Sequence, residues 1–303
     1  MANPVPLLAA GARRAAPDAP ATADDVAVHS IGDHLRRVRG LSEPQIDQIL
    51  AYQRHNGLRF GEAAIALKLA TSDDVLWALS QQFDYPYALA DETPLNDELV
   101  AATDPFGEEA DAFRELRSQL TMGVLAEGQA RRALAVLSPD VGDGKSYFAA
   151  NLAISFSQLG GRALLVDADM RTPRQHLLFG VDGEAGLSSI LAGRAEANVI
   201  HQAPNMPTLY VLPVGTLPPN PLELVQRPAM GLLVQELLTK FDHVIVDTPA
   251  AVHGADARVI AARSGAAVVI GRRHRTRIKA LQSLLGTLAS SQVRMAGVML
   301  NDH

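Results

Sequence analysis

From about residue 132 onward, short unbroken apolar runs alternate with stretches whose apolar residues recur at helical spacing. The runs fall at 133–137, 163–166, 209–212, 243–246, 266–270 and 295–300, and the helical patterns at 146–158, 229–238, 256–262 and 279–288. Strands of Val, Ile, Leu and Ala with no polar alternation are buried on both faces, as in a sheet covered by helices on either side. The pattern therefore predicts an α/β domain with a doubly wound, mainly parallel sheet. Such sheets bind ligands beyond the carboxyl ends of their strands. Here those ends are Ser138-Pro139, Asp167-Ala-Asp169, Asp247-Thr-Pro249 and Asn301.

The first hundred residues are patterned differently. Residues 1–28 are rich in Ala, Pro and Asp with little periodicity and predict a disordered arm. An internal repeat follows, in which Ser30-Ile-Gly-Asp-His-Leu35 matches Arg59-Phe-Gly-Glu-Ala-Ala64, and Ile46, Leu50 and Gln53 recur as Val75, Leu79 and Gln82. Every pair has the same offset, so the segment is a duplicated unit. Each copy opens a helix with a capping-box pair, Ser42 with Gln45 and Thr71 with Asp74. These features predict a small helical domain over 29–88. A linker rich in polar and turn-forming residues is expected over 89–110, and the α/β domain over 111–303.

Composition narrows the function. The chain has 303 residues, 48% hydrophobic and 20% charged, enough to bury a core. It has no cysteine, which excludes disulfides and thiolate metal sites and suits a reducing compartment. A net charge of −6 argues against bulk binding to nucleic acid. No apolar run is long enough to span a membrane, so a membrane role is expected to come through a partner.

The richest chemistry lies at Ser138-Pro-Asp-Val-Gly-Asp-Gly-Lys-Ser146, between the first strand and the first helix of the α/β pattern. Strand, glycine-rich turn, Gly-Lys-Ser and helix are the context of a phosphate-binding loop, although Pro139 stands where the first glycine of the usual pattern belongs. Backbone N–H groups around Gly142 and Gly144 and the helix N-terminus would cradle the anion. Lys145 would reach the β- and γ-phosphates, and the Ser146 hydroxyl would bind Mg²⁺. Gly142, Asp143, Gly144, Lys145, Ser146 and Tyr147 form the expected nucleotide-binding set. Asp167, Asp169 and Asp247 are expected at strand ends beside this loop, where carboxylates would hold Mg²⁺ partly through water or accept a proton.

Together these motifs resemble the bacterial tyrosine kinases of exopolysaccharide export, with their Walker A, Walker A′ and Walker B patterns. Arg171-Thr-Pro-Arg-Gln-His176, Gly186-Leu-Ser-Ser-Ile-Leu-Ala-Gly193 and Pro213-Val-Gly-Thr-Leu-Pro-Pro-Asn-Pro-Leu-Glu223 are similar to that family. So is Asp111-x-x-Arg114-x-x-Arg117, which resembles its self-association motif with Asp replacing Glu. The duplicated domain and the Ser138-Pro139 loop form resemble the EpsG-like chain-length-determinant kinases. The resemblance implies an ATP- and Mg²⁺-dependent protein-tyrosine kinase. Lys145, Asp167 and Asp169 would be catalytic, with Asp167 the proton acceptor unless the two carboxylates exchange roles. Ser146, Asp169 and Asp247 would serve the metal, and Asn301 would face adenine. It also implies a homo-oligomer through Asp111, Arg114 and Arg117, and activation by a membrane polysaccharide copolymerase from the cytoplasmic side of the inner membrane.

The family commonly ends in a tyrosine cluster. The tyrosines here are Tyr52, Tyr85, Tyr87, Tyr147 and Tyr210, so the acceptor is expected on another protein. The duplicated unit resembles the N-terminal MshEN-type domain of secretion and pilus ATPases. That resemblance implies a cyclic di-GMP site at Ser30, Gly32, Arg59 and Gly61, with a helical docking module as the alternative. Two rivals to the kinase reading are a MinD/ParA-like ATPase switch and a non-catalytic nucleotide-binding scaffold. The switch enzymes usually carry a lysine five residues before the invariant one, and Asp140 occupies that position here. The basic cluster Arg272-Arg-His-Arg-Thr-Arg277 reads as a solvated loop, with phosphates or a neighbouring subunit as the alternative.

Overall fold

In the computed structural model the described residues are 31–71, 74–75, 77–79, 95–194 and 198–302. The expected arm at 1–28, Ser30 and Gln82 lie outside them.

The repeat region contains α1 (Ile31–Arg39), α2 (Glu43–Asn56) and α3 (Phe60–Ala66), with residues 74–75 and 77–79 also helical. Both expected capping pairs form. The Ser42 N–H donates to Gln45 Oε1 at 2.9 Å, and the Thr71 N–H donates to Asp74 Oδ2 at 2.7 Å. Arg39 joins the two copies by an ion pair to Asp74 at 2.6 Å. The helices close over a core of Leu35, Leu41, Ile49, Ala63, Ala64 and Val75. Gly61 belongs to that packing, since a Cβ there would lie 2.5 Å from Val75 Cγ1. Its missing side chain thus has a packing reason inside the core, apart from the cyclic di-GMP role expected for it.

The second region runs α4 (Val100–Thr103), α5 (Glu108–Met122), β1 (Ala133–Leu137), α6 (Lys145–Ser157), β2 (Ala163–Asp167), α7 (Gln175–Phe179), α8 (Leu187–Leu191), β3 (His201–Gln202) and β4 (Leu209–Leu212). It continues with α9 (Pro221–Gln226), α10 (Pro228–Lys240), β5 (His243–Asp247), a 3₁₀ turn (Ala251–His253), α11 (Asp256–Ser264), β6 (Gly265–Arg272), α12 (Ile278–Ala289) and β7 (Arg294–Asn301). The seven strands form one sheet in the order β3-β4-β2-β5-β1-β6-β7. All neighbours are parallel except the short edge strand β3, which the apolar pattern did not predict. Strands β1 and β2 are buried throughout, as unbroken apolar runs require.

One core packs α4 to α7 on one face of the sheet, around Phe148, Leu152 and Phe156 of α6. The other face is covered by α8 to α12. Helix α6 is buried almost all round, which explains why its sequence is apolar on every side.

The expected linker is not a free connection in its second half. Leu99, Ala101 and Ala102 are buried in the core beside α6. The buried amide of Asn151 accepts from the Ala101 N–H at 2.9 Å and donates to the Glu98 carbonyl at 2.8 Å. Gln158 adds a bond to the Ala101 carbonyl at 2.8 Å. Residues 95–110 are therefore part of the α/β unit. Their polar composition hid this, because the partners lie some fifty positions further along the chain.

Candidate functional site

The strand order places β1 between β5 and β6, with β2 beyond β5. Their carboxyl ends therefore converge on the loop that leaves β1. In that loop Gly142 and Gly144 have φ of 79° and 94°, a left-handed backbone suited to glycine. A Cβ on Gly144 would stand 2.1 Å from Asn301 Nδ2. Asp143 is fully buried, and its carboxylate accepts from the Asp140 N–H at 2.9 Å and the Thr276 hydroxyl at 2.8 Å. Its side chain shapes the loop from behind, so among the expected nucleotide contacts Asp143 offers only backbone.

Lys145 and Ser146 begin α6, and both line a cleft of about 680 Å³ with Asp169, Thr172, Arg174 and Arg272. Asp247, at the end of β5, is the register partner of Asp167 at the end of β2. Gln175 Nε2 donates to Asp247 Oδ2 at 2.7 Å and to the Ser146 carbonyl at 3.1 Å. Among the described residues, Asp247 Oδ1 and Gln175 Oε1 are buried acceptors without a hydrogen-bond partner. Burial raises the proton affinity of Asp247 to a pKa of about 6, against the pull of Lys145 and of hydrogen bonds from Ser146 and Gln175. Burial, and after it the charge of Asp247, also pushes Asp167 well above the usual carboxylate range.

The two Walker A′ aspartates differ in place. Asp169 lines the cleft, and its carboxylate accepts from the Arg171 and Thr172 N–H groups at 3.1 and 3.0 Å. Asp167 sits behind it with no exposed surface, held by the N–H groups of Asp169, Arg174 and Gln175 at 3.1, 3.2 and 3.0 Å. Among the described residues no three His, Cys, Asp or Glu side chains cluster closely enough to cage a metal. A hydroxyl, one or two carboxylates and orphaned acceptors nevertheless fit Mg²⁺, which keeps several waters and takes phosphate oxygens.

Asn301 lies at the end of β7, where its Nδ2 donates to the Asp143 carbonyl at 3.3 Å. It also lines a smaller cleft of about 230 Å³, mostly walled by apolar side chains of α5, β6 and β7. The Tyr147 hydroxyl donates to Glu109 Oε2.

The basic cluster turns out to be built against the P-loop. Arg272 Nη1 donates to the Gly142 carbonyl at 3.1 Å, and the Arg275 guanidinium would lie 3.0 Å from a Cβ on Gly142. Arg174 and Gln175 belong to the quoted motif 171–176, and Arg272 and Thr276 to the basic cluster, for which phosphates or a neighbouring subunit were the alternative to a solvated loop. Spacing in the sequence does not reveal their individual contacts.

Asp111, Arg114 and Arg117 all have partners within the chain. Arg114 binds Asp111 and the Pro105 carbonyl, and Arg117 reaches the Ser155 carbonyl of α6. Each guanidinium has five N–H donors, so these bonds leave others for a neighbour.

A P-loop at the switch of a parallel α/β sheet, flanked by strand-end aspartates, defines a P-loop nucleotide-binding protein. Comparison narrows the class. No family model matches the chain. Tyrosine-protein kinase YwqD of Bacillus subtilis is 30% identical over 203 residues, which are 67% of this chain and 85% of that one. Tyrosine-protein kinase ptk of Acinetobacter johnsonii is 34% identical over 194 residues, 63% of this chain, and the match spans only 26% of the relative's length. The kinase domain of Escherichia coli tyrosine kinase ETK superposes with a TM-score of 0.64 at 30% identity, covering 70% of this chain and 83% of that one. The fold alone is shared with the septum site-determining protein MinD of Pyrococcus horikoshii, at 23% identity and a TM-score of 0.50. The chain belongs to the bacterial tyrosine-kinase family.

Proposed function

We propose that the chain is an ATP- and Mg²⁺-dependent protein-tyrosine kinase that regulates exopolysaccharide chain length or export. The observation that carries the reading is the pairing of the P-loop with Asp247. A buried lysine and a hydroxyl from α6 meet a buried carboxylate that retains an orphaned oxygen. Lys145 and the loop N–H groups hold the phosphates, while Ser146, Asp247 and the cleft-lining Asp169 hold Mg²⁺ directly or through water. The metal supplies charge neutralisation on the transferring phosphoryl group.

Asp169, which lines the cleft, accepts the tyrosine proton. Asp167, buried behind it with both carboxylate oxygens held by backbone N–H groups, is the alternative acceptor, its proton affinity raised by burial and then by the charge of Asp247. Asn301 and the apolar cleft beside it receive adenine, an amide being able both to donate and to accept.

The activating partner is a membrane polysaccharide copolymerase, which places the chain at the cytoplasmic face of the inner membrane. No helix among the described residues is long and apolar enough to cross a membrane itself. The Asp111/Arg114/Arg117 face mediates a homo-oligomer. The helical repeat is a docking module for the export machinery or takes cyclic di-GMP through Gly32 and Arg59. Absence of heat on titrating micromolar protein with cyclic di-GMP removes that last claim.

Radiolabelled ATP, with the copolymerase present, tests the kinase reading. Wild type yields phosphotyrosine and Lys145→Met yields none. Labelling that persists in the variant overturns the site. ATP hydrolysis without protein labelling favours a switch of the MinD kind.

A further inference from the structure

Two clefts meet at the P-loop. One holds the phosphate-cradle residues Gly142, Gly144, Lys145 and Ser146. The other is walled by Phe113, Leu116, Ile270 and Met299, apolar surfaces suited to a flat base. Three residues line both clefts: Glu109, Tyr147 and Asn301. The sugar of a nucleotide is the part that joins phosphate to base. A nucleotide with its phosphates in the first cleft and its base in the second therefore lays its sugar along these shared side chains.

Glu109 is exposed in the first turn of α5. One of its carboxylate oxygens accepts the Tyr147 hydroxyl. The Tyr147 ring packs on Phe113 with centroids 6.2 Å apart, so the phenol has a set direction and holds the carboxylate at the junction. Burial, then the bond to Glu109 and its charge, raises the Tyr147 pKa, and the phenol remains a donor at physiological pH. An ionised carboxylate only accepts hydrogen bonds, and the donors a nucleotide offers between phosphate and base are the ribose hydroxyls.

We propose that Glu109, positioned by Tyr147, recognises the ribose 2′-hydroxyl and selects ribonucleotides over 2′-deoxyribonucleotides. The inference rests on the nucleotide reading of the site. Glu109 touches the sugar, and Tyr147 acts through Glu109 as a positioning residue.

The test is calorimetric titration of the full chain with Mg·ATP and Mg·2′-dATP, in wild type, Glu109→Ala and Tyr147→Phe. Wild type binds ATP about tenfold more tightly than 2′-dATP, the size of one hydrogen bond to a charged group. Glu109→Ala weakens ATP to about the level of 2′-dATP and leaves 2′-dATP unchanged, and Tyr147→Phe gives an intermediate ratio. The ratio is informative because mere loosening of α5 weakens both nucleotides alike. Equal affinities in wild type, or an unchanged ratio in Glu109→Ala, overturns the proposal while the nucleotide site stands. Failure of wild type to bind either nucleotide overturns the nucleotide reading, and the ribose proposal with it.

Discussion

Gln175 Nε2 lies 2.7 Å from Asp247 Oδ2 and donates to it, and the same amide reaches the Ser146 carbonyl at 3.1 Å. One side chain from the segment after β2 thus ties the end of β5 to the start of α6. The carboxylate it holds is fully buried, and one of its oxygens is unmatched. Such an arrangement costs stability until a cation or its waters arrive.

The pH dependence of stability follows with a definite sign. Burial raises Asp247 from 3.8 to about 6. Between those values the folded protein binds more protons than the unfolded chain, so this group's contribution to stability falls as pH rises through the window. Asp167 is shifted in the same direction. Asp247→Asn is therefore expected to raise the thermal midpoint of the nucleotide-free protein, by more at pH 8 than at pH 4.5. It should also remove the extra stabilisation given by Mg·ATP. Scanning calorimetry at the two pH values checks this, and a variant no more stable than wild type at pH 8 counts against it.

The two loop glycines should differ in tolerance. Gly144→Ala meets both a φ of 94° and the Asn301 amide at 2.1 Å, and strain on the order of 1–3 kcal/mol is expected. Gly142→Ala has a similar φ but meets only the end of the flexible Arg275 side chain, at 3.0 Å. Thermal midpoints and ATP titrations should rank Gly144→Ala as the more damaging change in both respects. The reverse order would show that the loop is held differently.

Helix α5 offers a third prediction. Arg114→Ala with Arg117→Ala removes the proposed intersubunit cations together with the bonds to Pro105 and Ser155. Loss on the order of 1 kcal/mol per arginine is expected, since both are only part-buried. Light scattering should show the oligomer reduced to the protomer. A variant that keeps the wild-type mass would sink the self-association role.

The central strands were legible because burial on both faces demands unbroken apolar runs, and β1 and β4 occupy the expected residues. By contrast, β7 carries such a run at the sheet edge, with Val298 and Leu300 exposed. Lys145, Ser146 and the strand-end aspartates were legible because their chemistry is local: a turn, a helix start, a strand end. Glu98 and Glu109 gave no comparable signal, and Gln175, Arg272 and Thr276 stood in motifs that did not reveal their partners. Each is an ordinary polar residue in its own neighbourhood and acquires a role through a partner far along the chain. Arg272 meets Gly142 across 130 positions, and Asn151 meets Ala101 across 50.

The sequence alone therefore determined the fold class, the phosphate loop and the acids that accompany it. These follow from periodicity and short-range spacing. Tertiary structure decided that residues 95–110 belong to the α/β unit, that Asp143 turns inward, and that Asp169 rather than Asp167 faces the cleft. It also decided that the basic turn after β6 braces the P-loop. Those outcomes depend on strand order and on which buried polar atoms find partners, and hydrophobic periodicity carries neither.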